Sequence, residues 1–164
     1  MTISKLVFPT LSYTGWGSIE QLLPSVESFQ VKRILCVTDK ILVDIGLVEN
    51  VMKPLIEKGY ELDLYTDVEP EPPLACGQKL VDYTKTGQYE LVIGLGGGST
   101  LDLAKIAAIL ATHDGRVADY LNLTGTKSLE NNGLPSILIP TTSGTGSEVT
   151  NISVLSLETT KDVI

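Results

Sequence analysis

The short apolar run Glu90-Leu-Val-Ile-Gly-Leu95 leads into three consecutive glycines, Gly96 to Gly98, and then into a long helical pattern from Thr100 to Thr112. A buried strand that turns through glycines straight into a helix is the repeating unit of a parallel sheet covered by helices. The rest of the chain repeats that order. Lys32 to Asp39 reads as a buried strand, with helical signals from Ile41 and again from Val48 to Lys58, stopped by Gly59. Tyr60 to Thr66 alternates like a strand, the proline-rich Glu69 to Pro73 forbids regular structure, and a helix is expected from Leu74 to Thr86. Ser136 to Pro140 is a further buried strand, and Ile152 to Leu157 one more. Ahead of all these, Ile3 to Phe8 and Leu11 to Thr14 read as a small antiparallel entry. Ser18 is placed to cap a helix through Val26.

With 164 residues, 43% hydrophobic and 20% charged, the chain has apolar material for one continuous core. Thr124 to Gly133 is polar and reads as a loop inside that single domain rather than a linker. Twelve basic against twenty acidic residues give a net charge of −8, which disfavours nucleic acid and anionic membranes as partners. Anion binding must then come from backbone amides. Met1 to Ser18 lacks the pattern of a secretory signal, and no apolar run approaches the length of a membrane span, so the chain is expected in the cytoplasm. Cys36 and Cys76 are expected as two buried thiols rather than a disulfide. Together with His113 they lack the close spacing of a metal site.

The glycine cluster is the main candidate for chemistry. Glycines at 96, 97 and 98 let backbone approach a pyrophosphate, and the following helix start offers unpaired amides and a partial positive charge. Ser99 either donates its hydroxyl to a phosphate oxygen or caps the helix. The dinucleotide fingerprint G-x-G-x-x-G is not met, because Ser99 stands where its last glycine would fall, and no Walker loop is present. Asp39 closes the second strand, where a carboxylate either accepts ribose hydroxyls and repels a 2′-phosphate or simply caps the next turn. Asp102 and Lys105 share a helix face, as an ion pair or as ligand contacts. Thr141, Thr142, Ser143, Thr145 and Ser147 place five hydroxyls after a strand, a rim that would hydrogen-bond a polar ligand without adding charge. With no G-x-S-x-G elbow, neither serine has a convincing base, and hydrolase chemistry is disfavoured.

These segments together resemble the iron-containing, or group III, alcohol dehydrogenase family. Gly96-Gly-Gly-Ser-Thr-Leu-Asp-Leu-Ala-Lys105 is similar to that family's first signature and Pro140-Thr-Thr-Ser-Gly-Thr-Gly-Ser-Glu-Val-Thr150 to its second. Thr38-Asp39-Lys40 and Gly15-x-Gly17-Ser18 agree with it in order. The resemblance implies a Rossmann-like α/β domain that binds NAD, with NADP less favoured, and a C-terminal all-helical domain that holds Fe²⁺ or Zn²⁺. By that likeness the pyrophosphate would sit on Gly97, Gly98 and Ser99, the adenosine ribose near Asp39, the rest of the dinucleotide against Thr141, Thr142 and Thr145, and Asp102 toward the nicotinamide. The family's metal ligands belong to the helical domain, so none is assigned here, and the chain is expected to be either a fragment of a longer enzyme or a short nucleotide-binding module. The implied reaction is hydride transfer between an alcohol or aldehyde substrate and the nicotinamide, by a homo-oligomer when full length. The alternatives are a non-catalytic dinucleotide-binding module and a lyase similar to dehydroquinate synthase.

Overall fold

A computed structural model describes residues 9–157 and 161–164. The strands β1 (Arg33–Thr38), β2 (Glu61–Tyr65), β3 (Leu91–Gly96) and β4 (Ser136–Pro140) form one sheet in the order β2-β1-β3-β4, and every neighbouring pair is parallel. Helices occupy the crossovers: α1 (Leu22–Phe29) precedes β1, α2 (Lys40–Asp44) and α3 (Leu47–Glu57) join β1 to β2, α4 (Leu74–Gly87) joins β2 to β3, and α5 (Gly98–Leu110) leads from β3 toward β4. The expected α/β architecture is therefore present.

The sheet separates two apolar layers. Leu35, Val37 and Val92 point to the side of α4 and α5, where they meet Leu80, Leu103 and Ile106. Ile34, Cys36, Leu91, Ile93 and Leu95 point to the opposite side, against Val26, Met52 and Leu55. β3 is buried along its whole length, which is why its sequence is an unbroken apolar run instead of an alternating one. Each fully buried aliphatic side chain of this kind contributes about 2 kcal/mol. Cys36 and Cys76 are both free and buried, and burial pushes the Cys36 thiol up to about 12, far from nucleophilic use.

Several local expectations are corrected. Ser18 does not cap a helix: Gly17 caps a 3-10 turn over Ser18–Gln21, and α1 continues beyond Val26 to Phe29. One arm of the expected N-terminal antiparallel entry, Ile3 to Phe8, lies outside the described residues. The other, Leu11 to Thr14, forms no strand. The small antiparallel pair lies instead at the far end of the chain, between β5 (Val154–Ser156) and β6 (Lys161–Val163). α5 starts at Gly98, two residues before Thr100, so the last glycine belongs to the helix.

Candidate functional site

The chain runs from β1 outward to β2, then crosses back over β1 to enter β3. Strand order thus reverses between β1 and β3, whose carboxyl ends lie side by side with Thr38 opposite Leu95. In open α/β sheets the crevice outside such a reversal is where ligands bind. The structure brings two of the sequence candidates to it directly: Asp39 follows the end of β1, and Gly96 ends β3.

Three glycines there have three different surroundings. A Cβ on Gly96 would lie 2.6 Å from the Thr100 hydroxyl oxygen, so this glycine is required by the close approach of α5 to its own strand. A Cβ on Gly97 would sit 3.3 Å from Thr142 Oγ1, and one on Gly98 would sit 3.4 Å from both Ser147 Oγ and Thr145 Cβ. Glycines at 97 and 98 therefore keep open a slot between the β3–α5 turn and the turn after β4. The Thr141 N–H donates to Gly96 O at 2.9 Å and holds the two turns together.

The floor of this slot is the start of α5. Its first intrahelical bond runs from the Leu101 N–H to Gly97 O, so the N–H groups of Gly98, Ser99 and Thr100 precede the helical ladder. Thirteen residues of aligned peptide dipoles place a partial positive charge there. The Ser99 hydroxyl accepts from the Glu71 N–H at 3.2 Å, which leaves its own proton to donate. A cavity of about 340 Å³ opens at this point, walled in part by Gly98, Ser99, Asp102, Thr145 and Ser147. These groups suit a diphosphate: amide donors, one hydroxyl donor and room for backbone-close approach.

The remaining candidates are committed to protein contacts to different degrees. Asp39 caps α2, its Oδ1 accepting the Leu42 N–H at 3.0 Å, which leaves Oδ2 for another donor; it does not line the cavity. Thr141 and Thr142 are exposed. Thr145 donates its hydroxyl to Glu148 Oε2 at 2.7 Å, and that bond is the main reason the Glu148 carboxyl lies below its ordinary value. Thr145 therefore meets a ligand as an acceptor or through its methyl group. Asp102 is nearly buried; Lys105 Nζ lies 2.9 Å from its Oδ1 but off the direction a hydrogen bond needs, so the contact is an ion pair. Its Oδ2 accepts the Val154 N–H at 3.0 Å, and Lys105 also donates to the carbonyl oxygens of Thr150 and Ile152. The pair thus ties the 150–154 segment to α5, and Asp102 still faces the cavity.

Sequence reasoning missed Glu71 and Lys161, which sit on the cavity rim. Glu71 was legible in principle, since the proline-rich strap begins at the carboxyl end of β2. Lys161 was not, because no local pattern brings it to Glu71 of the strap. No group of three or more His, Cys, Asp or Glu side chains lies together among the described residues. Among those residues, no helix is long and apolar enough to cross a membrane.

A family model described as iron-containing alcohol dehydrogenase matches residues 9–164. The long-chain-alcohol dehydrogenase 1 of Geobacillus thermodenitrificans is 63% identical over the whole chain, which spans 42% of that protein. The choline dehydrogenase of Bacillus subtilis is 38% identical over 92% of the chain and 37% of its own length. Among solved structures, a 1,3-propanediol oxidoreductase superposes with a TM-score of 0.88 at 30% identity, covering 99% of this chain and 42% of that one. A sulfoacetaldehyde reductase from Bifidobacterium kashiwanohense in complex with NAD⁺ gives 0.86 at 29% identity, over 100% and 43%. The chain therefore spans less than half the length of each of these proteins.

Proposed function

The chain belongs to the iron-containing alcohol dehydrogenase family, and we propose that it forms the dinucleotide-binding part of an NAD-linked alcohol dehydrogenase. The observation that carries this reading is the slot between Gly97 and Thr142 and between Gly98 and Thr145, set directly on the amide end of α5 at the strand-order reversal. An anionic protein with net charge −8 that binds a diphosphate needs such a seat, since its overall field opposes anions.

In this reading the N–H groups of Gly98 and Ser99 and the Ser99 hydroxyl hold the diphosphate of NAD. Asp39 Oδ2 accepts the adenosine ribose hydroxyls while Oδ1 keeps capping α2, and its charge disfavours a 2′-phosphate, so NAD is preferred over NADP. Thr141, Thr142 and Thr145 line the rest of the dinucleotide, with Asp102 toward the nicotinamide. Bound NAD⁺ would supply the hydride acceptor for an alcohol, and bound NADH the hydride donor for the corresponding carbonyl compound. The iron or zinc of the family finds no fitting ligand set among the described residues, so no metal role is assigned to them. The full protein is proposed to be a cytoplasmic homo-oligomer.

Titration calorimetry tests the seat. NAD⁺ is expected to bind the 164-residue chain, and Gly98→Val, which fills the slot, is expected to weaken binding about tenfold or more, the effect of losing one hydrogen bond to a charged group. Unchanged affinity in a folded Gly98→Val protein would remove the diphosphate from this place.

A further inference from the structure

The wall of the cavity opposite α5 carries a carboxylate where an anion seat should avoid one. Glu71 lies on the strap between β2 and α4, and four contacts converge on the strap there. The Glu71 N–H donates to Ser99 Oγ at 3.2 Å. Its carboxylate pairs with Lys161 Nζ of β6 at 3.0 Å. The Ser156 N–H of β5 donates to Pro72 O at 2.9 Å, and Pro73 forms a parallel bridge with Ser156. Glu71 itself has φ +48°, a left-handed conformation that costs a residue with a Cβ about 1 kcal/mol or more. That backbone is held at the helix start by the Ser99 hydroxyl, which is also a proposed ligand donor.

We infer that the Glu71–Lys161 ion pair is an electrostatic latch across the mouth of the diphosphate seat: the Glu71 carboxylate competes with the incoming anion for Lys161 and sets how tightly the seat holds it. The inference rests on the dinucleotide reading given above. Both side chains are largely exposed, so the pair is weak enough to exchange partners. A diphosphate on the amides of Gly98 and Ser99 would share with Glu71 and Lys161 the one cavity that all four residues line. Repulsion between them favours a Lys161 ammonium that turns from carboxylate to phosphate. Glu71 is accordingly a positioning residue, acting through Lys161 and through the strap, with no role in the chemistry.

The test compares the wild-type chain, Glu71→Gln and Lys161→Gln by calorimetry with NAD⁺ and with inorganic pyrophosphate at low and high salt. Glu71→Gln keeps the size and the backbone contact but removes the competing charge. It is expected to bind both probes about fivefold more tightly at low salt, the factor that one unit charge at contact exerts on another in water, with the gain shrinking at high salt. Lys161→Gln, which leaves the carboxylate unpaired, is expected to weaken both by a similar factor. A merely structural role for Glu71 would move stability without a salt-dependent gain in affinity. Tighter binding of both probes by Glu71→Gln with that salt dependence supports the latch. Weaker or equal binding overturns it while leaving the seat intact, because the carboxylate would then be helping to hold the ligand or having no effect on it. Absence of binding by all three folded proteins overturns the seat and the latch together.

Discussion

At the level of single residues, charge is placed where backbone donors await it. Glu90 Oε2 accepts the N–H groups of Lys32 at 2.7 Å and Arg33 at 2.9 Å, and the Glu90 N–H returns a bond to Arg33 O at 2.9 Å. The Arg33 amide, then that of Lys32, holds this carboxyl below its ordinary value of 4.5. A group whose value is depressed on folding stabilises the fold above the unfolded value, and that contribution is lost as pH falls through the folded one. Thermal melts of the wild type and Glu90→Gln should therefore differ by a constant gap near neutral pH, with the wild type higher, and converge as the pH drops below 4.5. A gap that persists in acid would assign the effect to shape rather than charge. His113 shows how a residue stays opaque in the sequence. Its Nε2 accepts the N–H groups of Glu130 and Asn131, both at 3.1 Å, which leaves the proton on Nδ1 to donate to Ile109 O at 2.7 Å. Sequence spacing argued against a metal role for this lone imidazole but could not announce that it pins a loop seventeen residues away.

At the level of elements, the tightest junction is between β3 and α5. A Cβ on Gly94 would lie 2.8 Å from Ala104 Cβ and 3.2 Å from Leu138 Cδ2, so the helix packs on the strand at glycine distance. Gly94→Ala is expected to cost about 1–3 kcal/mol, as overpacking does, read as a lower denaturation midpoint with unchanged slope. Gly98→Ala, whose Cβ would meet its neighbours at 3.4 Å, should cost far less. Equal losses would mean that the 2.8 Å approach at Gly94 is relieved by a small shift and does not decide. The same junction explains what the sequence could reveal. An apolar run ending in glycines needs both faces covered and a sharp turn, so β3, α5 and the turn between them were readable from it. β1, α3, β2, α4 and β4 were readable from their runs and stops. The three-residue strand β6 was not, since its pairing with β5 depends on a return of the chain that no local pattern encodes. Ser18 misled for a related reason: the glycine before it already supplies the turn, and the chain spends one 3-10 turn before α1 begins.

At the level of the whole molecule, apolar side chains stand exposed near the end of the sheet where the strand order reverses. Ile41, at the start of α2 just after β1, is 72% exposed, and Val149 and Ile152, after the turn that follows β4, are 42% and 48% exposed. β4 pairs only with β3 among the described residues, so its outer ladder offers a further edge. Exposed apolar side chains of this kind give a covering body something to bury. Under the proposed function a covering body would be the further part that a longer enzyme adds to this sequence, and the metal ligands would lie there. The 164-residue chain with NAD⁺, an alcohol and Fe²⁺ or Zn²⁺ is then expected to bind the dinucleotide without forming NADH. The longer protein should turn over, and amide exchange across 149–152 should slow in it relative to the isolated chain. Sustained NADH production by the isolated chain, followed at its absorbance band and abolished by Gly98→Val, would place the whole reaction within this α/β unit and refute the division of labour.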